Sequence, residues 1–185
     1  MPRKPREEVA DGIHHVFARG NNKQAIYHDD EDRRLYLTTL RLTIERAEWR
    51  CLAYCLMDNH MHLLIQTPKA NLGAGMQRLH GLYGRLFNDR HQRTGHVFQG
   101  RFKSKRVDDE QQMWVTARYI ARNPVEAGLC RQAGDWPWSS HALLVRRREP
   151  AWLDRTRLLT YFSGLGADPW TVYRRLVEER TAFQP

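Results

Sequence analysis

Cys51-Leu52-Ala53-Tyr54-Cys55-Leu56, the turn Met57-Asp58-Asn59, and His60-Met61-His62-Leu63-Leu64-Ile65-Gln66 read as one β-hairpin. In the first run Leu52, Tyr54 and Leu56 alternate with Cys51, Ala53 and Cys55. In the second, Met61, Leu63 and Ile65 alternate with His60, His62, Leu64 and Gln66. A period of two puts each set on its own face of a pleated strand, and Asp58-Asn59 supplies the turn chemistry. Two imidazoles two residues apart then project together from the head of the second strand and make one edge of a divalent metal site. A bare pair of this kind is also what a half-buried polar strand face looks like, so the neighbours decide.

Working outward, a first strand spans Ile13 to Arg19 and stops at Gly20-Asn21-Asn22. Asp29 or Asp30 caps a helix to about Ala47, with Tyr36, Leu40, Thr43, Ile44 and Ala47 at the helical period and Arg33, Arg34 and Arg41 elsewhere. After the hairpin a second helix runs from about Leu72 to Arg90, with Met76, Leu79, Tyr83, Leu86 and Phe87 on its apolar stripe. Gly73, Gly75, Gly81 and Gly84 weaken it. At 81 and 84 they admit either the close approach of another backbone or ligand strand, or plain helix–sheet packing. A further strand is expected over Phe98 to Val107 and, capped by Asp108 or Asp109, a helix from Glu110 to Asn123. Strand, helix, strand, strand, helix, strand, helix suits an α+β fold with a ferredoxin-like antiparallel sheet and helices on one face.

The text changes character after Gly128. Trp136-Pro137-Trp138-Ser139-Ser140-His141 opens a short helix, Arg146-Arg147-Arg148 follows, and an amphipathic segment runs from about Asp168 to Arg180. The expected division is therefore residues 1–128 as a catalytic domain with a basic N-terminal arm, and 129–185 as a helical C-terminal extension packed on the core.

A chain of 185 residues with 41% hydrophobic content, six Trp, seven Tyr and six Phe can build a real core. Thirty Lys and Arg against 21 Asp and Glu leave a formal charge of +9, a potential that attracts polyanions, with nucleic acid the natural partner. An acidic membrane surface competes, but no apolar run approaches the ~18 residues needed to span a bilayer. Met1-Pro2-Arg3-Lys4-Pro5-Arg6-Glu7-Glu8 has no signal-peptide core. The expectation is a cytoplasmic, nucleoid-associated protein. Cys51, Cys55 and Cys130 are an odd set without a Cys-x-x-Cys pair; Cys51 and Cys55, at odd positions of one strand, share a face and act as small apolar residues rather than metal ligands.

Chemistry points to Ala117-Arg118-Tyr119-Ile120-Ala121-Arg122-Asn123-Pro124. Tyr119 and Asn123, four apart on a helix, share a face and can bring a phenol and an amide oxygen to one point. Pro124 biases the preceding residue away from helical geometry, so Asn123 is expected at the very end of the helix. An aromatic core residue and a helix-terminating Asn would give the same pattern.

Several ordered motifs raise the specificity. His60-Met61-His62 after Met57-Asp58-Asn59, Arg19-Gly20-Asn21-Asn22, Gly95-His96-Val97-Phe98-Gln99-Gly100-Arg101-Phe102-Lys103-Ser104, Tyr119-Ile120 to Asn123-Pro124-Val125 with Ala127-Gly128-Leu129, and Trp138-Ser139-Ser140 together resemble the single-tyrosine HUH transposases, within them the REP-associated tyrosine transposases. The likeness runs from about Ile13 to His141. It implies the HUH endonuclease fold, with His60, His62 and Asn123 as ligands of a divalent metal, Mg²⁺ or Mn²⁺, and Tyr119 as the nucleophile. The reaction it implies is cleavage and rejoining of single-stranded DNA through a 5′-phosphotyrosine. The implied partner is single-stranded DNA carrying a hairpin from a repetitive extragenic palindrome, with a short tetranucleotide at its foot.

The residue types suit that chemistry. A phenolate attacks a phosphodiester in line, and a metal on two imidazoles and an amide polarises a non-bridging oxygen. A free tyrosine titrates near pH 10, so the metal or Arg118 and Arg122 are the candidates for easing its deprotonation. From Arg85 to Arg106 seven Lys or Arg face a lone Asp89. Arg101, Lys103 and Lys105 alternate on the expected strand as a phosphate-tracking row; Arg19, Arg118 and Arg122 complete the expected DNA-binding set. Phe98 and Phe102 either stack unpaired bases or join the core, and Gln66 is second to the histidines or merely solvated. The arm Arg3-Lys4-Pro5-Arg6 either grips DNA or is a solvated tail. A catalytically idle hairpin-binding module is the competing function. A metallohydrolase would need a carboxylate base near the histidine strand, and none recurs there. A monomer is expected, the extension after Gly128 standing in for a partner subunit.

Overall fold

The computed structural model describes residues 8–179. The hairpin is there, as β2 (Arg50–Leu56) and β3 (His60–Thr67), flanked by β1 (Gly12–Arg19), α1 (Asp30–Ala47), α2 (Leu72–His91), β4 (Lys103–Val107) and α3 (Glu110–Glu126). The sheet is antiparallel throughout, in the order β2-β3-β1-β4. This is the strand order of a ferredoxin-like α+β fold. Residues directly opposite in an antiparallel pair share a face. His14, Val16 and Ala18 therefore lie with Ile65, Leu63 and Met61, and His15 and Phe17 with Leu64 and His62. Helices α1 and α2 pack on each other over the first face, where Tyr36 lies near Cys51, the partner of Ile65. The second face meets α3, so helices cover both faces of the sheet and not one face as expected.

Caps explain the helix starts. The Asp29 carboxylate accepts from the Asp32 N–H at 3.0 Å and that of Asp109 from the Gln112 N–H at 2.7 Å, each satisfying an orphan donor of a first turn.

Four local expectations change. The Phe98–Val107 strand is shorter, beginning at Lys103, because Gly100 adopts φ 71°, outside extended geometry; Phe98 keeps one bridge to Gly20, and both Phe98 and Phe102 are buried. Helix α3 runs past Asn123 to Glu126 with Pro124 inside it. So near the end, proline removes one ladder bond only, and Ala127 N–H still donates to the Asn123 carbonyl at 3.0 Å. A bulge between Cys51 and Ala53 shifts the register, so Cys51 opposes Ile65 and Cys55 opposes His62, and the two thiols lie on opposite faces. Arg33, expected in solvent, is buried; its guanidinium meets Asp58 of the hairpin turn at 2.5 Å and lies over the rings of Tyr27, Trp136 and Trp138.

The chain after Gly128 forms α4 (Ser140–Val145), α5 (Arg155–Thr160) and α6 (Pro169–Glu178). It lies along the free edge of β2. Leu56 N–H donates to Trp138 O, Asp154 N–H to Cys51 O, and the Ser140 hydroxyl both accepts from Tyr54 N–H at 3.0 Å and donates to Tyr54 O at 3.2 Å. An edge that would expose unpaired backbone is thereby covered. Gln66 is buried and its side-chain oxygen accepts from Arg157 at 3.0 Å, so it serves this docking rather than the histidines. No described helix is long and apolar enough to cross a membrane. The arm Arg3-Lys4-Pro5-Arg6 and Arg180 lie outside the described residues.

Candidate active site

The strand face that carries His62 gathers the chemistry. His60 and His62 are two residues apart on β3, opposite Arg19 and Phe17 of β1. His62 is 5% exposed, and its Nδ1 lies 2.9 Å from Nε2 of His15. Burial above all, then the neighbouring His15 and His60, pushes His62 down to about 3; burial and then the charge of Lys105 push His15 down to about 4. Both rings are neutral near pH 7, so the contact joins one N–H and one lone pair. We assign the proton to His62 Nδ1, which leaves a lone pair on its Nε2. That Nε2 is buried with no hydrogen-bond partner among the described residues.

His60 shows the same arrangement. We assign its proton to Nδ1, 2.8 Å from the Asn59 side-chain oxygen, which leaves the Nε2 lone pair facing the Asn123 side-chain oxygen 3.1 Å away. Burial lowers its proton affinity and the contact with Asn123 partly opposes this. Two acceptors this close with no proton between them repel unless a cation lies against both. An orphaned buried imidazole nitrogen beside an imidazole–amide pair is chemistry that suits a divalent ion, and His15 would be the outer partner that fixes the ring of His62. The residues fit the implied ion.

Tyr119 completes the group. Its ring stands edge-on to His62 at 5.3 Å and to His15 at 5.7 Å between centroids, and it is 48% exposed, open to a substrate. Helix α3 puts Asn123 one turn further along the same face. Beside Tyr119 a cleft of about 350 Å³ runs between β4 and α3, lined by His15, Lys105, Arg106, Gln112 and Val115 among others. Lys105 and Lys103 pair with His15 and Phe17 across β1 and β4, so both basic residues stand on the histidine face.

Of the expected DNA-binding set, Arg19, Arg101, Lys103 and Lys105 are exposed, but only the two lysines belong to a strand row; Arg101 sits in the loop before it. Arg118 and Arg122 are a correction. Arg118 donates to the carbonyls of Leu176 (3.0 Å) and Glu179 (2.9 Å), and buried Arg122 to that of Val177 (3.0 Å) and to Glu126. Helix C-terminal carbonyls attract cations, and these two arginines cap α6. Their guanidinium groups are engaged by α6 and Glu126 rather than turned to the phenol. His15 was missed as a site residue, because its place beside His62 depends on strand register, which His14-His15 alone does not declare.

A second set, His28, Asp32 and His91, also brings three candidate ligand atoms within 4.8 Å of one another. Its groups are already bonded. Asp32, fully buried, accepts from His28 N–H (2.7 Å), Arg90 (2.6 Å) and His91 (2.9 Å), and Arg93 lies 3.4 Å from the His28 ring nitrogen. Two guanidinium groups hold the place of a cation, and the cluster ties the start of α1 to the end of α2.

Comparison with known proteins bears on family and fold. A Haemophilus influenzae protein named as a REP-associated tyrosine transposase is 28% identical over 116 residues, 57% of this chain, which spans 66% of that relative's length. A solved structure of a REP-associated tyrosine transposase bound to a REP hairpin superposes with a TM-score of 0.66 over 81% of this chain and 89% of its own, at 18% identity, which shows a shared fold. The family model described as "Transposase IS200 like" matches residues 9–123, the segment from the start of β1 to Asn123. With more than half of its residues in that match, the chain belongs to the IS200-like transposase family.

Proposed function

We propose that the protein cleaves and rejoins single-stranded DNA beside a hairpin, with Tyr119 as nucleophile, and that it acts as a monomer of the REP-associated kind. The observation that carries this reading is the exposed phenol of Tyr119 set against His62, whose Nε2 has no partner, while His60 Nε2 and the Asn123 oxygen converge at 3.1 Å. His60, His62 and Asn123 would hold a divalent ion, Mg²⁺ or Mn²⁺. When bound, that ion supplies charge that polarises a non-bridging oxygen of the scissile phosphate.

The chain's own residues do the rest. His15 holds the His62 ring and Asn59 the His60 ring, so the pocket is preorganised. Arg19, across the sheet from His60, together with Lys105, offers cations to the phosphates on either side. The Tyr119 oxygen bonds to phosphorus as the P–O3′ bond breaks. The proton lost by the phenol is matched by the one gained at the leaving oxygen, giving a free 3′-hydroxyl and a 5′-phosphotyrosine. Attack by another 3′-hydroxyl reverses the step and rejoins DNA without an external energy source. Arg118 and Arg122, on either side of Tyr119 in sequence, anchor α3 to α6 of the same chain, which supports a nucleophile serving its own histidines.

The test is covalent capture. A hairpin-bearing single strand incubated with the protein and Mn²⁺ should become protein-linked through its 3′-labelled fragment, and Tyr119→Phe should abolish the adduct while keeping fold and binding. An adduct formed by the Phe variant, or one carrying the 5′ label, overturns the reading. Binding without any adduct would favour the idle module.

A further inference from the structure

Away from the histidines, a groove of about 790 Å³ separates α2 from the loop 95–102. Its volume is that of a small-molecule site. Among the described residues its lining holds Arg85 and Arg101, neither with an ion-pair partner, and no carboxylate; that of Glu8 accepts from the N–H of Gly73 at one end of the groove at 2.6 Å. Glycines form its helical wall. A Cβ at Gly81 would meet nothing within 4 Å and one at Gly84 only the Val97 side chain at 3.8 Å. Each glycine costs an α-helix roughly 1 kcal/mol against alanine, and no packing among the described residues calls for a bare backbone at Gly81 or Gly84. A ligand lying close to the helix backbone would. On the same wall the His80 ring stacks on Phe98 at 3.9 Å, and its Nε2 is buried without a hydrogen-bond partner. Burial pushes His80 down to about 3, so the ring is neutral and offers a hydrogen bond, not a charge.

The groove also adjoins the cleavage machinery. Asn21 N–H donates to Val97 O and Gln99 N–H to Arg19 O, so the loop that walls the groove is stitched to the strand end lying opposite His60.

We propose that this groove is a second DNA subsite, which takes one or two unpaired nucleotides of the substrate strand against the bare face of α2, with their phosphates on Arg85 and Arg101. The identity of the polymer rests on the function proposed above. Charge selects a polyanion, and the glycine wall selects a flat group that can lie close to backbone.

Gly81→Leu and Gly84→Leu test it, since each fills the groove while raising helix propensity; melting temperatures should be unchanged or higher. In a Tyr119→Phe background, fluorescence anisotropy would compare a hairpin with four-thymidine extensions at both ends and the same hairpin blunt. The Leu variants should bind the extended probe at least tenfold more weakly and the blunt one equally well. Arg85→Gln, a solvent-exposed change that leaves the helix intact, should reduce the log–log salt slope for the extended probe by roughly 0.7. Equal binding of the extended probe by parent and Leu variants overturns the subsite, as does a change in sedimentation mass in place of DNA affinity, which would assign the groove to a second copy of the chain. A protein that forms the Tyr119 adduct while its Leu variants bind normally loses the subsite alone. One whose extension binding depends on the groove but which forms no adduct loses the cleavage reading alone.

Discussion

Two imidazole clusters are built from similar parts and end differently. In one, His28 and His91 surround a buried Asp32, Arg90 pairs with that carboxylate and Arg93 lies against the His28 ring. In the other, His15, His60 and His62 are neutral, no carboxylate joins them, and one buried nitrogen and a pair of facing acceptors are left over. The first is a strut, because burying a carboxylate is tolerable once cations and N–H groups pair with it. The second uses hydrogen bonds to orient its rings and leaves the His62 Nε2 without a partner. Proximity of ligand-type residues does not separate the two; hydrogen-bond accounting does.

The sharpest way to break the comparison is to remove one member from each. His62→Ala should take metal-dependent cleavage to background and abolish Mn²⁺ binding by calorimetry, with a melting temperature within a few degrees of the parent. Asp32→Ala should do the opposite. It leaves Mn²⁺ binding intact and destabilises by about 3 kcal/mol, the lower end for a broken buried pair because Arg90 is a third exposed and rehydrates. For a chain of this size that is a fall of roughly 6–12 °C. If Asp32→Ala instead cost metal affinity, the strut would be a site.

His15→Phe sharpens the contrast within the active cluster. It keeps the ring's bulk against His62 but removes the acceptor that sets the tautomer, and should weaken Mn²⁺ binding by about 10- to 100-fold. His15→Gln, which can still accept a hydrogen bond, should recover part of that loss; a merely structural role for His15 predicts no difference between the two. Arg118→Ala breaks two bonds to carbonyls of α6 and should cost about 1–3 kcal/mol, with DNA affinity per folded molecule unchanged. A reduced salt slope in that variant would return Arg118 to the DNA surface.

A last test is in pH. The folded-state pKa values of His15, His62 and His80 lie below the unfolded value near 6.5, so the unfolded chain binds more protons. Their contribution to stability is complete above about pH 6.5 and is lost as pH falls toward 4 and then 3. In chelator, the melting temperature should decline through that window, and His80→Phe should flatten the decline. A stability flat from pH 7 to 4 would show that these rings are hydrated.

What the sequence determined by itself was whatever depends on near neighbours. The hairpin, the α1 cap at Asp29, the pairing of His60 with His62 and of Tyr119 with Asn123 follow from periods of 2 and 3.6 and from capping chemistry, which operate over a few residues. Nearest-neighbour rules also set the limits of that reading, as where Gly100 shortened β4 and a bulge turned Cys51 away from Cys55. Tertiary structure decided the partners. His15 became the residue that orients His62 only when β1 was registered against β3; Arg118 and Arg122 left the DNA surface because α6 folded back to present its bare carbonyls; Arg33 was drawn inside by Asp58 and two tryptophans more than a hundred residues away in sequence. A long cationic side chain takes whichever acceptor the fold brings within reach, and no local pattern records which one that is.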